Sequence, residues 1–400
     1  MSEWKKVKLG DCIKEINEKT TKNNQYKVLS VTKDGIFSQE EFFKKQIASK
    51  NNIGYKIIRK NNLVFSTMNL WMGSLDVLTN YDIGIVSPAY KIFEFNEKLM
   101  LPEYGNYFMK SYYMLEQYKN CSEQGASVVR RNLDLKALLK INIIIPPTEE
   151  QEKIMKILKN VEYLIAMNKQ YIQNIIKFKE KIFDNFLNQD FEWKNIPFSE
   201  VFDIIPNHNF SRDKLNYKKG TYKNIHYGDI LTKYNEIINV EGNDDIPFIN
   251  NEEIKDKQYV ILKDGDVIIA DTAEDESVGR AVELRNIQYE KVLSGLHTIA
   301  CRPKLKFVSG YLGFYINSKE YHKQLIPLMQ GIKVLGITKN NIKTKTTIKF
   351  PNLEIQHKIT LIMENYNEKI KLLERKMEEY ENIKKGLMQK LLTGKVKVNV

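Results

Sequence analysis

The chain has 400 residues, 42% of them hydrophobic, and a formal net charge of +12. This length allows two or three domains, and the apolar runs are far shorter than the ~20 residues of a membrane span. The first ten residues lack the apolar core of a signal peptide, so we expect a cytoplasmic protein. The positive net charge favours a polyanionic partner, because Lys and Arg release counterions when they neutralise phosphates.

The three cysteines, Cys12, Cys121 and Cys301, are far apart and form no C-x-x-C pair. An odd number of widely spaced cysteines argues against a disulfide framework and against a zinc knuckle. We therefore expect buried free thiols.

The chain repeats itself with a spacing of about 200 residues. Each half has short strand-like runs alternating with turns, then a short helix near Tyr104 or Tyr311, and then a long amphipathic helix. The matched segments, in preserved order, are 4–11 with 193–200, 61–65 with 265–269, 87–90 with 294–297, 104–111 with 311–318, and 146–154 with 351–359.

Thr148 is predicted to cap the first long helix, with Gln151 three residues on completing a capping-box pattern and with Pro146 and Pro147 holding the preceding chain extended. Its apolar positions step by three and four residues, and the second helix copies this register 205 residues later. The predicted packing positions are Ile154, Leu158, Val161, Ile165, Ile172, Ile175, Ile182 and Phe186, and then Ile359, Met363, Tyr366, Ile370, Met377, Tyr380, Leu387 and Leu391.

Three polar residues fall within these stripes: Asn168, Lys179 and Lys384. Polar residues in a helical seam can fix its register. For the two lysines we favour the alternative that their long stems extend the ammonium groups into water at the edge of the seam.

Two similar modules, a rigid spacer and a basic excess are typical of a protein that reads two segments of one DNA duplex. The two strands of a duplex are antiparallel, so modules docked on one face would be related by a two-fold axis. We therefore predict an α+β fold with internal pseudo-two-fold symmetry, in which two mixed α/β domains are joined by two long helices packed as an antiparallel coiled coil. The predicted boundaries are 1–148 and 190–352 for the two modules, 149–189 for the first helix, and 353–400 for the second helix and tail.

Several segments together resemble the specificity subunits of type I restriction-modification enzymes, over essentially the whole chain. They are "KNNLVFSTMNLWMG", "GIVSPAYKIFEF", "IIIPPTEEQEKI", "KDGDVIIADTAEDESVGRA", "SGLHTIACRP" and "LMQKLLTGKVKV". The resemblance implies two target-recognition domains that read a few base pairs on either side of an unread spacer. It also implies that the helices act as a ruler and as a docking site for two modification subunits. The second helix departs from the pattern, because a single proline, Pro351, precedes it.

In that family, adenine methylation and DNA cleavage belong to partner subunits, so this chain should lack both machineries and should need no cofactor or metal. The Pro146-Pro147 pair is followed by Thr148 rather than an aromatic residue, and no glycine cluster forms a dinucleotide-type loop. Carboxylates gather at Asp271, Glu274, Asp275 and Glu276, where we favour a solvated loop over a metal site. The five histidines show no zinc spacing, and we expect His297 to be a hydrogen-bonded core residue within a strand.

The candidate DNA contacts are cations beside glycine and short polar donors. For each, an exposed charged surface with no ligand is the alternative. In the nearly neutral second module, the candidate cations are separated along the sequence from the acidic run between residues 241 and 256. The candidates are Arg130, Arg131 and Asn132 in the first half, and Arg212, Lys214, Lys218, Lys219, Lys223, Lys333, Lys339, Asn340, Lys343 and Lys345 in the second.

These features predict a non-catalytic subunit that reads a split, asymmetric double-stranded DNA target. It would place methyltransferase subunits, and through them a restriction motor-nuclease subunit, on that target. One alternative is a restriction or modification protein with its own catalysis, which the missing motifs disfavour. Another is a coiled-coil scaffold without a nucleic-acid role, which does not explain two basic, strand-rich modules.

Overall fold

The computed structural model describes residues 3–32, 35–42, 51–124, 131–256 and 258–398, with only the backbone given for 41–42. The chain divides into two compact units. Unit 1 consists of Met1–Gln170 with Arg375–Val400, and unit 2 of Tyr171–Glu374. Each unit contains one module and parts of both long helices.

Unit 1 is built of short strands, short helices and one end of each long helix. Its strands are β1 (Lys5–Lys8), β2 (Ile13–Ile16), β3 (Leu29–Thr32), β4 (Gly35–Ser38), β5 (Lys56–Arg59), β6 (Leu63–Ser66), β7 (Leu75–Val77), β8 (Ile83–Val86), β9 (Tyr90–Phe95), β10 (Ser122–Gln124), β11 (Arg131–Leu133) and β12 (Asn142–Ile145). Its helices are α1 (Leu9–Cys12), α2 (Gln39–Phe42), α3 (Pro102–Met109), α4 (Tyr112–Asn120), α5 (Leu135–Leu139) and the first part of α6 (Thr148–Leu187), with a 3-10 turn at Leu70–Met72.

Unit 2 repeats this composition. Its strands are β13 (Lys194–Pro197), β14 (Phe202–Ile205), β15 (Leu215–Asn216), β16 (Lys223–Ile225), β17 (Ile237–Asn239), β18 (Phe248–Ile249), β19 (Val267–Ala270), β20 (Thr272–Ala273), β21 (Ala281–Arg285), β22 (Val292–Ser294), β23 (Thr298–Pro303), β24 (Leu335–Gly336) and β25 (Thr347–Phe350). Its helices are α7 (Phe198–Val201), α8 (Tyr227–Thr232), α9 (Tyr311–Ile316), α10 (Lys319–Leu325), α11 (Lys339–Lys345) and the first part of α12 (Leu353–Leu391), with 3-10 turns at Arg212–Lys214, Asn251–Glu253 and Ile326–Leu328.

The central sheets of the two units have the same strand order. In unit 1 it is β2-β9-β6-β7, and in unit 2 it is β14-β23-β19-β21, with β17 added in parallel beside β21. Leu63 of β6 faces Val77, and Val267 of β19 faces Glu283, so the corresponding strands pair antiparallel in both units. These strands are buried on both faces, and their successive side chains enter different cores. Leu63 and Phe65 pack in one core of unit 1 and Val64 in another, and Val267 and Ile268 are divided in the same way in unit 2. The predicted α+β architecture of two similar halves is confirmed.

In each unit, the first strand of the module pairs with the last strand before a long helix. Lys5 of β1 faces Ile145 of β12, and Lys194 of β13 faces Phe350 of β25. The first strand of each module therefore lies beside the N-terminal end of the long helix that follows that module.

The long helix α6 begins at Thr148, one residue before the start that a Thr148 cap predicted, and Gln151 does not complete a capping box. The backbone N–H groups of Glu150 and Gln151 both donate to the carbonyl oxygen of Pro147. The amide of Gln151 is instead fully buried against backbone groups of the module, which leaves it unable to reach back to the start of the helix. Helix α12 has a side-chain cap, since Asn352 Oδ1 accepts from the N–H of Ile355 at 3.0 Å.

The two long helices run antiparallel within each unit. In unit 1, Lys384 pairs with Glu162, and Leu391 shares a core with Leu158. In unit 2, Lys369 lies 5.4 Å from the ring centroid of Tyr171, and Phe178 contacts Tyr366 edge-on with ring centroids 6.0 Å apart. Rising residue numbers on one helix thus meet falling numbers on the other.

All sixteen predicted packing positions are buried or half-buried in the described structure. Ile154, Leu158, Ile359 and Met363 are at most 1% exposed. At 1.5 Å per residue, the 40 residues of α6 span about 60 Å.

The two seam lysines differ from the favoured prediction. Lys179 does not extend into water: its side chain is 12% exposed, and its ammonium lies 2.5 Å from Glu236 and 2.7 Å from Asn367 Oδ1. Lys384 is 30% exposed and pairs with Glu162 at 2.6 Å. A carboxylate within reach replaces the hydration that a snorkelling lysine would seek. Asn168 bonds within its own helix, donating to the carbonyl oxygen of Leu164 at 2.8 Å.

The two ends of the chain meet in unit 1 on one carboxylate. Glu150, near the start of α6, is 1% exposed. One of its oxygens accepts from Trp4 Nε1 at 3.1 Å, and the other accepts from the backbone N–H of Val398 at 3.2 Å. Both ends of the chain are thereby fixed to the root of the first long helix.

Candidate nucleic-acid interface

In unit 1, the cationic segment predicted to contact DNA lies beside the end of a central strand. Arg131 opens β11, and its backbone N–H donates to the carbonyl oxygen of Met68 at 3.2 Å, just after β6. Its guanidinium carbon lies 4.9 Å from the ring centroid of Trp71. Stacking on an aromatic face keeps the guanidinium plane in one orientation. Asn132 is exposed, whereas Arg130 lies outside the described residues.

In unit 2, the segment before α11 lies beside the end of the central strand β19, as the corresponding segment of unit 1 lies beside β6. Thr272, which follows β19, pairs with Gly336, and the N–H of Ile337 donates to the carbonyl oxygen of Asp271 at 2.8 Å. Helix α11 follows directly, as α5 follows β11 in unit 1. The two halves therefore use the same backbone arrangement with different side chains.

The first cationic run of unit 2 is largely committed to internal ion pairs. Both terminal nitrogens of Arg212 donate to the buried carboxylate of Asp229 at 2.9 Å. Lys214 pairs with Glu253 at 2.7 Å, so the expected segregation of positive from negative charge does not hold here. Cationic residues that are neighbours in sequence therefore pair with acidic residues that are distant in sequence.

Lys223 was wrongly predicted to contact DNA. Its side chain is 3% exposed and pairs with Glu290 at 2.7 Å, and its ammonium also donates to the carbonyl oxygen of Asn243 at 3.1 Å. A lysine whose hydrogen-bonding capacity is used inside the fold cannot reach a phosphate.

The remaining candidates of unit 2 fall on two exposed stretches. In the described part of the chain, no ion pair involves the exposed residues Lys218, Lys219, Lys333, Lys343 and Lys345. Asn340 is exposed on the first turn of α11, whose N-cap Thr338 accepts from the N–H of Asn341 at 3.2 Å. Lys339 is half-buried and donates to Asn207 Oδ1 at 2.8 Å.

A polar turn that the sequence analysis missed lies beside this segment. His297 is outside the strand, on the turn between β22 and β23, and its side chain is 47% exposed. The prediction of a core histidine is wrong, because a backbone φ of +51° turns the residue out of the strand path. Gly295, two residues earlier, was the available signal of a turn.

Next to this turn, His226 caps helix α8. Its Nδ1 accepts from the N–H of Gly228 at 3.2 Å, and a guanidinium nitrogen of Arg212 lies 3.4 Å away. Burial, and then the positive charge of Arg212, lower the pKa of His226 to about 4. The ring is therefore neutral at physiological pH, which the cap requires.

The acidic candidates of unit 2 do not converge on one point. Asp271 lies 3.3 Å from His297 Nδ1, and Asp275 accepts from the N–H of Ser277 at 2.9 Å. Among the residues that the structure describes, no group of three or more His, Cys, Asp or Glu side chains could hold a metal ion. The thiols are free, with Cys12 and Cys301 buried and Cys121 half-buried, and burial raises the pKa of Cys12 to about 12.

The long helices are too polar to lie across a bilayer. Within the described residues, no helix combines the length and the apolar composition that a membrane span needs.

Comparison with known proteins places both halves in one family. The model of the type I restriction modification DNA specificity domain matches residues 1–177 and again 191–382. The type I restriction enzyme MjaVIII specificity subunit of Methanocaldococcus jannaschii is 25% identical over 417 residues, covering 99% of this chain and 93% of that protein. The HindI specificity subunit of Haemophilus influenzae is 23% identical over 190 residues, covering 46% of this chain and 41% of that protein.

The fold has a solved counterpart. A chain from a structural study of complex assembly and conformational transition of the type I R-M system matches 98% of this chain and 98% of its own length. The TM-score is 0.63 at 15% sequence identity, a similarity of fold. With the family domain occurring in both halves, the chain belongs to the DNA specificity subunits of type I restriction-modification systems.

Proposed function

We propose that this subunit reads a split, asymmetric double-stranded DNA target, with one half-target contacted by each unit. The observation that carries the proposal is the backbone arrangement shared by the two units. In each, a segment before a short helix lies against the end of a central strand. In unit 1 this segment contains Arg131, which lies over the ring of Trp71, and in unit 2 it contains Gly336, which pairs with Thr272. Equivalent surfaces with different side chains suit two unlike half-targets.

We propose that the functional division follows the repeat. Residues 1–148 and 190–352 would be the two target-recognition domains. Residues 149–189 and 353–400 would supply the spacer helices and the tail. The helix bounds Thr148–Leu187 and Leu353–Leu391 support this division.

The partners we propose are two methyltransferase subunits, with a restriction motor-nuclease subunit joining through the complex. Apolar side chains left exposed on the long helices favour a protein partner there. On the unit 1 part of α6 these are Tyr163, Leu164 and Met167, which are 64%, 41% and 44% exposed. We place the assembly in the cytoplasm, where its DNA substrate would lie.

Mapping methylated adenines in a host, with and without this chain, tests the proposal. We expect a two-part motif with an unread gap that disappears when the chain is removed. Persistence of the motif would contradict the assignment. Incubating the purified chain with DNA, Mg²⁺ and S-adenosylmethionine tests for intrinsic chemistry, and methylation or cleavage without partners would overturn the non-catalytic role.

A further inference from the structure

We propose that His297 reads a base in the half-target contacted by unit 2, with Asp271 positioning its imidazole. The inference rests on the proposed function and names a specificity-determining residue within it. It starts from an exposed polar side chain carried by a backbone that other contacts hold in place.

The backbone of the turn is fixed from several sides. The carbonyl oxygen of Ser294 accepts from His208 N–H at 2.8 Å, and Gly295 N–H donates to the carbonyl oxygen of Ile225 at 2.9 Å. The buried hydroxyls of Ser294 and Thr298 lie 2.6 Å apart. The left-handed conformation of His297 is disfavoured for a side chain with a Cβ, so these contacts are what maintain it.

The imidazole of His297 is held at one edge and open at the other. Its Nδ1 lies 3.3 Å from Asp271 Oδ1 and 3.4 Å from Thr272 Oγ1, and its ring meets Tyr227 edge-on at 5.3 Å. In the described part of the chain, nothing hydrogen-bonds its Nε2. In the tautomer that carries its proton on Nδ1, beside Asp271 and Thr272, Nε2 is a hydrogen-bond acceptor. An acceptor recognises the exocyclic amino group of adenine or cytosine in the major groove.

Nearby groups suit a groove contact. Asn207 donates to the carbonyl oxygen of Gly295 at 3.4 Å and accepts from Lys339 at 2.8 Å, so a cation lies beside the turn. In unit 1 the corresponding turn, residues 87–90, has Tyr90 at the position of His297. There the N–H of Tyr90 donates to the carbonyl oxygen of Ser87 at 3.0 Å. Tyr90 opens β9 and packs half-buried against a core of unit 1, whereas His297 stands exposed outside its strand, so the two turns present different surfaces.

The test uses the complex of the chain with its partner subunits and the motif mapped for the wild type. Duplexes varied one base pair at a time across both half-targets are compared for wild type and His297→Gly. Glycine accepts the left-handed backbone, so this variant removes the side chain while keeping the turn. We expect discrimination to fall roughly tenfold or more at one position of the second half-target, where the preferred base is adenine or cytosine on one strand. The first half-target should be read as before.

A second variant tests the role of Asp271. Asp271→Asn should weaken discrimination at the same position and add nothing when combined with His297→Gly, because Asp271 is proposed to act only through the imidazole of His297. His357→Ala, an exposed histidine on α12, is the matched control and should leave the profile unchanged.

The outcomes separate the two hypotheses. A wild-type complex with no preference within the second half-target would overturn the proposed function. A wild-type preference that survives intact in His297→Gly would overturn only the role of His297. A uniform loss across all positions and on random DNA would also overturn it, since that is the behaviour of a phosphate contact.

Discussion

Gln151 and Gln356 make equivalent contacts in the two units. Each donates from Nε2 to the carbonyl oxygen of the proline five residues earlier, at 2.9 Å in both cases. Each also accepts from a backbone N–H of the module, of Leu101 at 2.9 Å and of Val308 at 3.0 Å. A buried amide thus connects each long helix to the module before it.

Replacing either glutamine with alanine should destabilise its own unit. The substitution leaves buried backbone groups without partners, which costs about 1–3 kcal/mol. Urea unfolding followed by far-UV circular dichroism measures the loss, and hydrogen exchange assigns it to unit 1 for Gln151→Ala and to unit 2 for Gln356→Ala. Gln173→Ala, at an exposed position of α6, is the control. Equal stability of all three variants would contradict the connecting role.

The stability of unit 2 should depend on His226 at acidic pH. The pKa of the folded-state imidazole is lowered to about 4 from an ordinary value of 6.5. As the pH falls from 6.5 towards 4, the unfolded chain binds a proton that the folded chain does not, so the free energy of unfolding decreases. His226→Asn keeps a side-chain cap without a titrating group and should flatten this part of the pH profile. A slope unchanged by the substitution would show that His226 is not responsible.

The cations of the first unit should act on DNA through phosphates. In the partner-bound complex, Arg130→Ala with Arg131→Ala should weaken binding to many sequences. The slope of log affinity against log salt should also become shallower, by roughly 0.9 for each phosphate that the arginines neutralise in the wild type. Loss of discrimination at a single base position would argue against a phosphate role.

Lys223→Met provides the contrast for that experiment. Because the Lys223 ammonium is buried on Glu290, the substitution should leave the salt slope unchanged and lower stability by roughly 1–3 kcal/mol. Fluorescence anisotropy titrations and urea unfolding on the same preparations separate the two effects. A changed salt slope would return Lys223 to the DNA-contact candidates.

The ruler hypothesis predicts the effect of lengthening α6. Inserting one helical turn after Gln173 should change the gap between the half-targets and leave each half-sequence as it was. Sequencing of methylated adenines would show the new gap. Retention of the original gap would rule out helix length as its determinant.

Local patterns were sufficient to predict the helices and the repeat. The beginning of a long helix just after Pro147 and its apolar stripe follow from prolines and from spacings of three and four residues, which involve near neighbours only. The capping box failed because the amide of Gln151 reaches Leu99 and Leu101, some fifty residues away. A rule based on sequence neighbours cannot show that Gln151 bonds to these distant backbone groups instead of capping the helix.

The candidate interface was harder to predict for the same reason. Lys223 belongs to a cationic run in sequence, but its partner Glu290 is 67 residues distant. His297 has apolar neighbours, and only its positive φ removes it from the strand. Charge runs and periodicity describe neighbours along the chain, whereas groove contacts depend on residues that folding brings together.

Because Trp4 and Val398 both hydrogen-bond to Glu150, the chain is suited to circular permutation. A short peptide joining these two segments would close the polypeptide into a ring, and the linker near residues 188–193 could then be opened to give new termini. Such a circular permutant would keep the interactions described above while its segments followed one another in a different order along the chain. Because Trp4 and Val398 already lie on the same carboxylate, the order in which the gene encodes its two repeats is one of at least two that these contacts allow.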